Sequence, residues 1–365
     1  MNGSPNMTSP VRVLIVDDSA LMRQLLSTLL AADPEIQVVG AAQDPFDARD
    51  KIKALNPDII TLDVEMPGMD GLTFLRKIMA LRPMPVVMFS SLTQAGAEAT
   101  LEALEIGAVD FVAKPTHDVA NAMGALAETL QAKIKAAART RFRPRRAEAA
   151  PAPRVRPKIG RPTGKLLLIG ASTGGVEALK ALLLQLPEDC PPTLITQHMP
   201  ERFTSAFAQR LDRECPMHVS EAKDGDRLET GHVYIAPGGA HHLELSRNGG
   251  HYFCKLIDGP LVSGHRPSVD VLFRSGARLT ARTIIAVILT GMGKDGAQGM
   301  LELRQAGATT LGQDEHSSLV YGMPRAAFEC GAVVRQYPLT KMGDAIVDAC
   351  KGEGGATPSI KRASA

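Results

Sequence analysis

The chain has 365 residues, 44% of them hydrophobic but only 4% aromatic, and a formal net charge of +2. That length suits two domains with aliphatic cores, and so small a net charge excludes nucleic-acid binding driven by overall charge alone. Five cysteines without a Cys-x-x-Cys pair argue against a disulfide framework; with no leader-like start and no apolar run of membrane-spanning length, the expectation is a soluble, cytoplasmic protein.

In chain order, Val11 to Val16 reads as a buried strand, followed by Leu21, Met22, Leu25, Leu26, Leu29 and Leu30 at helical spacing. Further strands are expected at Ile36 to Val39, Asp58 to Leu62, Val86 to Phe89 and Val109 to Val112. Helices fall near Phe46 to Leu55, at Leu72 to Leu81 and at Thr100 to Ile106; Val119, Met123, Leu126, Leu130 and Ile134 put one apolar stripe on a last helix. Five strands alternating with five helices predict a doubly wound parallel sheet over residues 10–136.

Residues 137–163 are rich in Arg, Pro and Ala and lack apolar periodicity. They read as a solvated, semi-extended linker; a nucleic-acid-binding arm is the competing reading, weakened by the absence of interleaved aromatics. A second α/β region spans 164–350, with strands at Leu166 to Ile169, Thr193 to Thr196, His232 to Ala236, Thr283 to Leu289 and Ala308 to Leu311. Leu243 to Leu245 and Tyr252 to Ile257 flank glycines as a hairpin would. The tail, 351–365, is expected to be disordered.

In the first region Asp17 and Asp18 close one strand and Asp63 closes another. Parallel strands end on one edge, where ligands bind, and carboxylates gathered there repel one another unless a hard cation such as Mg²⁺ lies between them. A metal-bound Asp63 can attack a phosphoryl donor to give an acyl phosphate. Ser90 and Lys114-Pro115 end the next two strands and offer a hydroxyl and an ammonium to phosphoryl oxygens. A lone aspartate at a strand end is ordinarily a helix cap; the convergence of several polar groups on one edge argues for a site. Together with Met66-Pro67-Gly68-Met69-Asp70-Gly71 after Asp63, these residues resemble a response-regulator receiver domain. The resemblance implies Asp63 as phosphoacceptor, Asp17, Asp18 and Asp63 as Mg²⁺ ligands, and Ser90, Phe111 and Lys114 as the phosphorylation switch.

In the second region Gly170-Ala171-Ser172-Thr173-Gly174 follows an apolar strand and matches the Gly-x-Ser-x-Gly pattern of a nucleophile elbow. A dinucleotide fingerprint is the alternative, but Ser172 stands where a pyrophosphate requires glycine. His198, after a strand, and Asp295, in Gly291-Met292-Gly293-Lys294-Asp295-Gly296, add a base and an orienting acid. Either of them alone is equally a capping or turn residue. The chain order Ser, His, Asp excludes the α/β-hydrolase arrangement. His241, His242 and His265 lack the spacing of a metal set and read as surface or pocket-wall residues.

These segments, with Gln197-His198-Met199, Tyr234-Ile235-Ala236-Pro237-Gly238, His265-Arg266-Pro267-Ser268-Val269-Asp270 and Gly322-Met323-Pro324, resemble the chemotaxis protein-glutamate methylesterases of the CheB family over nearly the whole chain. The resemblance implies a two-domain α/β protein, a Rossmann-like catalytic domain, and a catalytic triad of Ser172, His198 and Asp295. Backbone N–H groups of Thr173 and Met292 would form the oxyanion hole. It further implies demethylation of receptor glutamate methyl esters with release of methanol, deamidation of receptor glutamines, control by a sensor histidine kinase, and no cofactor in the catalytic domain. A receiver-controlled nucleic-acid-binding or nucleotide-binding protein is the alternative; neither nucleic acid nor membrane insertion is expected.

Overall fold

The computed structural model describes residues 9–91, 93–114, 119–140, 159–160 and 164–352. Pro115, nearly all of the linker, the Val119 side chain and most of the tail therefore lie outside the described residues.

The first region alternates β1 (Val11–Val16), α1 (Ala20–Ala31), β2 (Ile36–Ala42), α2 (Pro45–Leu55), β3 (Ile59–Asp63), α3 (Gly71–Leu81), β4 (Val86–Ser90), α4 (Gln94–Ile106), β5 (Asp110–Ala113) and α5 (Val119–Ala138). Local chemistry marks the helix starts. The Ser19, Asp44, Asp70 and Thr93 side chains accept hydrogen bonds from first-turn N–H groups, and Pro45 opens α2. The five strands are all parallel, in the order β2-β1-β3-β4-β5. Helix α4 starts at Gln94, ahead of the expected Thr100, because its Thr93 cap precedes a stretch of Ala and Gly without an apolar stripe.

The second region comprises β6 (Leu166–Ala171), α6 (Gly175–Leu183), β7 (Thr193–Gln197), α7 (Phe203–Glu214), β8 (His218–Glu221), β9 (His232–Ile235), β10 (His242–Asn248), β11 (His251–Ile257), α8 (Val269–Thr280), β12 (Ile284–Ile288), α9 (Ala297–Gln305), β13 (Thr309–Gln313), α10 (Met323–Glu329), β14 (Arg335–Tyr337) and α11 (Leu339–Lys351). Seven strands form a parallel sheet in the order β14-β13-β12-β6-β7-β9-β8, and β10 and β11 form the expected antiparallel hairpin. The edge strands β8 and β14 have three or four residues each and little apolar character, so pairing with a neighbour, and not periodicity, defines them.

One apolar cluster runs through both regions. It joins Phe74, Leu104, Ala108 and Phe111 of the first to Val176, Leu179, Phe203 and Phe207 of the second. The sheets are thus docked through shared buried side chains. All five cysteines are free, three of them buried. Among the described residues no helix is long and apolar enough to cross a membrane.

Candidate active site

In the larger sheet the strand order is β12-β6-β7, so the chain reverses its winding direction at β6. In open parallel sheets that reversal opens a crevice at the strand C-termini. Ser172 follows β6, His198 follows β7, and Asp295 lies in the loop after β12, so strand order alone brings all three together. Ser172 is tied down by its own backbone: its N–H donates to Thr290 O at 3.0 Å, and its carbonyl accepts from Gly175 N at 2.6 Å. Gln197 Nε2 donates to the same carbonyl at 3.0 Å. Gly174 turns the chain into α6 with φ +76°, a conformation that glycine adopts without strain. Any side chain at Gly291 would run into Met323 Sδ and into Ser172 Cβ, the latter at 2.9 Å.

His198 Nε2 donates to Asp295 Oδ2 at 2.8 Å; its Nδ1 is buried and has no hydrogen-bond partner. The imidazole therefore keeps one nitrogen engaged and the other free to accept a proton. Asp295, 1% exposed, is held at the start of α8. Ser268 Oγ donates to its Oδ1 at 2.8 Å, Val269 N to Oδ2 at 2.7 Å and Asp270 N to Oδ1 at 3.1 Å. Burial acts to raise this carboxyl, but the hydrogen bonds from His198, Ser268 and Val269 prevail and hold it below the usual range. It stays an anion, as an orienting acid must. Among the described residues no hydrogen bond takes up the backbone N–H of Thr173 or Met292.

His241, His242 and His265 scatter. His241 Nδ1 pairs with the exposed Asp258 at 2.7 Å. Buried His242 accepts from Ser268 N at 3.1 Å and faces Pro260 O at 2.9 Å. His265 stacks face to face on His198, with ring centroids 3.6 Å apart. They do not converge on a common point, in keeping with a pocket-wall role and not a metal set.

In the smaller sheet the winding reverses between β1 and β3, and there Asp17, Asp18 and Asp63 bring carboxylate oxygens within 4.8 Å of one another. Among the described residues this is the one such group of metal-capable side chains. Lys114 Nζ lies 2.7 Å from Asp63 Oδ2 and 3.5 Å from Asp17 Oδ2, and among the described residues no other donor reaches either buried oxygen. Burial pushes Asp63 up to about 6 despite the opposing Lys114 ammonium, and Asp17 is raised for the same reason. Buried, unsatisfied, mutually repelling oxygens fit a divalent cation with oxygen ligands. Ser90 Oγ, fully buried, donates to Gly96 O of α4 at 3.2 Å.

The two edges meet through β5 and α4. A cavity of about 380 Å³ lies between the regions, lined by Asp110 and Phe111 on one side and Ser172, His198 and Thr290 on the other. Phe111 is 3% exposed and stacks on Phe203 of α7 at 4.6 Å. Beside it, Asp110 Oδ2 accepts from Thr173 Oγ1 at 2.5 Å, while Lys133 of α5 donates to Asp110 Oδ1 at 2.8 Å and to Phe111 O at 2.7 Å. Glu105 of α4 pairs with Lys180 of α6 at 2.5 Å and with Arg210 of α7.

Sequence reasoning foresaw Ser172, His198, Asp295 and the acidic edge, and the structure brings each set together. It gave no role to Asp110, Lys133 or Glu105, and it singled out the His265-to-Asp270 segment, with His265 as a surface or pocket-wall residue, without foreseeing the His265 stack on His198 or the Ser268 bond to Asp295. Only the Ser268 cap, three residues ahead of a first-turn N–H, carried a local signal; the others acquire meaning from contacts between separate elements.

The chain is similar to known proteins over most of its length. The family described as "CheB methylesterase" matches residues 167–346, and the "Response regulator receiver domain" family matches residues 13–123. The chain is 60% identical over 338 residues to a "Protein-glutamate methylesterase/protein-glutamine glutaminase 1" of Caulobacter vibrioides, covering 93% of this chain and 97% of that one. It is 54% identical over 348 residues to a protein named "Protein-glutamate methylesterase/protein-glutamine glutaminase 2" of Pseudomonas aeruginosa, covering 94% and 98%. Among solved structures it resembles the Thermotoga maritima CheB methylesterase catalytic domain, at 37% identity and a TM-score of 0.50, covering 51% of this chain and 98% of that one.

Proposed function

The chain belongs to the CheB methylesterase family, and from that premise we propose how its residues carry out and control the hydrolysis of glutamate methyl esters on chemotaxis receptors. The half-engaged imidazole carries the reading: His198 Nε2 is committed to Asp295, and the unpartnered Nδ1 borders the cavity that Ser172 also lines. Ser172 Oγ attacks the ester carbonyl as His198 Nδ1 removes its proton. The tetrahedral oxyanion is received by the free N–H groups of Thr173 and Met292. His198 returns the proton to departing methanol, and water, activated by the same nitrogen, releases the carboxylate from Ser172. With a glutamine side chain the same steps release ammonia, which accounts for a glutaminase activity. Asp295 remains ionised throughout and keeps the proton on Nε2 until Nδ1 takes the second one.

The receiver regulates this site. Asp63 is the phosphoacceptor for a phosphohistidine donor on a sensor kinase. Asp17, Asp18 and Asp63 would hold Mg²⁺, which when bound neutralises phosphoryl charge. Lys114 and Ser90 then grip phosphoryl oxygens. Turning Ser90 Oγ towards a phosphoryl group gives up its 3.2 Å tie to Gly96 O, which links β4 to the first turn of α4, the helix whose far end carries Glu105 into the interface. On Asp63 phosphorylation Phe111 and Asp110 withdraw from Phe203 and Thr173, opening the cleft. On this reading the protein works in the cytoplasm, on the cytosolic part of its receptors.

The test is methanol release from membranes bearing methylated receptors, with and without a small phosphodonor. We expect slow basal release, stimulation by the donor in the presence of Mg²⁺, and none from Ser172→Ala. Release undiminished by that substitution would overturn the assignment.

A further inference from the structure

The His265-to-Asp270 segment was singled out in the sequence without a chemical role, and the triad alone does not explain it. Its second half is accounted for: Ser268, Val269 and Asp270 hold the Asp295 carboxylate. Its first half presents a ring to the partner of that carboxylate. His265 and His198 lie face to face, 3.6 Å between centroids and 11° between planes.

The placement of His265 is rigid. Val262 and His265 exchange both backbone hydrogen bonds, at 3.0 and 2.9 Å, around a two-residue turn. Ser263 and Gly264 have φ of 52° and 80°, the positive pair that such tight turns require. On the other side Arg266 is anchored through Nε to Gly239 O and through Nη1 to Gly259 O, both at 2.7 Å. His265 is therefore clamped before and behind.

A clamp of that kind answers a need in the triad. The Asp295 bond holds only Nε2 of His198; Nδ1 lies farther than Nε2 from the Cβ–Cγ axis, so rotation about that axis displaces Nδ1 more. A flat plate against the ring blocks the rotation. We propose that His265 is a positioning residue for ester hydrolysis: its ring, stacked on His198, holds the imidazole plane that keeps Nδ1 available to Ser172. The role rests on the Ser172–His198 chemistry proposed above.

The charged and titratable groups facing His265 are His198 after β7, Asp295 before α9 and Lys133 from α5 of the receiver. Burial, reinforced by His198 and Lys133 and opposed by Asp295, brings His265 down to about 4. It thus offers His198 an uncharged face over the working pH range, and the imidazolium formed during acyl transfer meets a π surface and not a second positive charge.

The experiment uses the full chain under saturating phosphodonor, with His265→Ala and His265→Phe compared for methanol release from methylated-receptor membranes between roughly pH 5.5 and 9. Misplaced catalytic groups cost about a hundredfold at most for a displacement near 1 Å. The Ala variant should accordingly lose roughly ten- to a hundredfold in kcat with KM within about twofold. The Phe variant keeps a flat ring and should recover to within about threefold of wild type. A merely structural role would produce neither the loss confined to kcat nor the Ala-to-Phe difference. Far-UV circular dichroism and thermal melting matching those of wild type report that both variants are folded. A second reading, independent of turnover, is the ring-current shift of the His198 ring protons by NMR in the inactive Ser172→Ala background, lost on His265→Ala. Ala within twofold of wild type at every pH, Phe as slow as Ala, or an unchanged ring-current shift would each overturn the proposal. Absence of methanol release by the wild type would instead overturn the ester reading, and the NMR arm would still decide the stacking.

Discussion

Two parallel sheets in this chain each place acidic residues at the point where the winding direction reverses, and the two edges are electrostatic opposites. At Asp295 every nearby donor is already in place, and the carboxyl is held below its usual range by hydrogen bonds from His198, Ser268 and Val269 that overcome its burial. At Asp63 burial wins: the carboxyl rises to about 6, with a single ammonium to relieve it and buried oxygens left unsatisfied. On the proposed reading, the same topology therefore supports a catalytic array complete without ligand at one edge and an incomplete one at the other. An array complete without ligand can act at once and must be restrained. One that needs a cation and a phosphoryl group suits a sensor. The restraint joins them, through β5 and α4.

The sharpest way to break the comparison is to remove function from one edge only. Ser172→Ala should lower methanol release by roughly a thousandfold or more, while Mg²⁺-dependent phosphoryl uptake at Asp63 continues. Loss of both in a folded protein would mean the edges are not separable. The converse substitution, Asp63→Asn, replaces a nucleophilic carboxylate by an amide. Stimulation by a small phosphodonor should vanish, and hydrolysis should stay at the unphosphorylated level; an Asn variant that still responds would place the acceptor elsewhere.

Between the edges, the Glu105 network with Lys180 and Arg210 helps hold the receiver over the cleft. A partly buried network of this kind is worth about 1 kcal/mol, or roughly a fivefold shift in the open population. Glu105→Ala should raise unphosphorylated methanol release by about that factor, and added salt should narrow the gap to wild type because screening weakens the same pairs. Unchanged basal activity would show that Asp110, Phe111 and apolar packing hold the closed state alone.

The smallest effect is one of stability. Asp63 titrates at about 6 in the fold against an ordinary 3.8. Between those values the folded chain binds a proton that the unfolded chain does not, so stability falls as pH rises through the window, and the full penalty is present above it. Asn stands in for the protonated acid. Asp63→Asn should therefore raise the receiver melting temperature by a few degrees at pH 7.5 without Mg²⁺, and the gain should fade towards pH 4. A gain independent of pH would dissociate it from this carboxyl.

What the sequence by itself determined is what neighbours along the chain decide. Apolar runs such as Val11 to Val16 and Leu166 to Ile169, the capping residues Ser19, Asp44 and Asp70, and the glycines around Ser172 set strands, helix starts and the nucleophile turn from local preference alone. Because parallel strands end on one edge, residues read at strand ends were also read as site residues, and Ser172, His198, Asp295 and the aspartates came together as expected. Only the tertiary structure decided the rest. The three- and four-residue edge strands β8 and β14 exist through pairing. Glu105, Asp110 and Lys133 look like ordinary surface charges in a helix or beside a strand until another domain supplies Lys180, Arg210 and Thr173. His265, 67 positions from His198 in the sequence, becomes its stacking plate only once β7 and the turn before α8 lie side by side. Those contacts link positions far apart in the chain, and no local periodicity or spacing encodes which distant side chain a residue will meet.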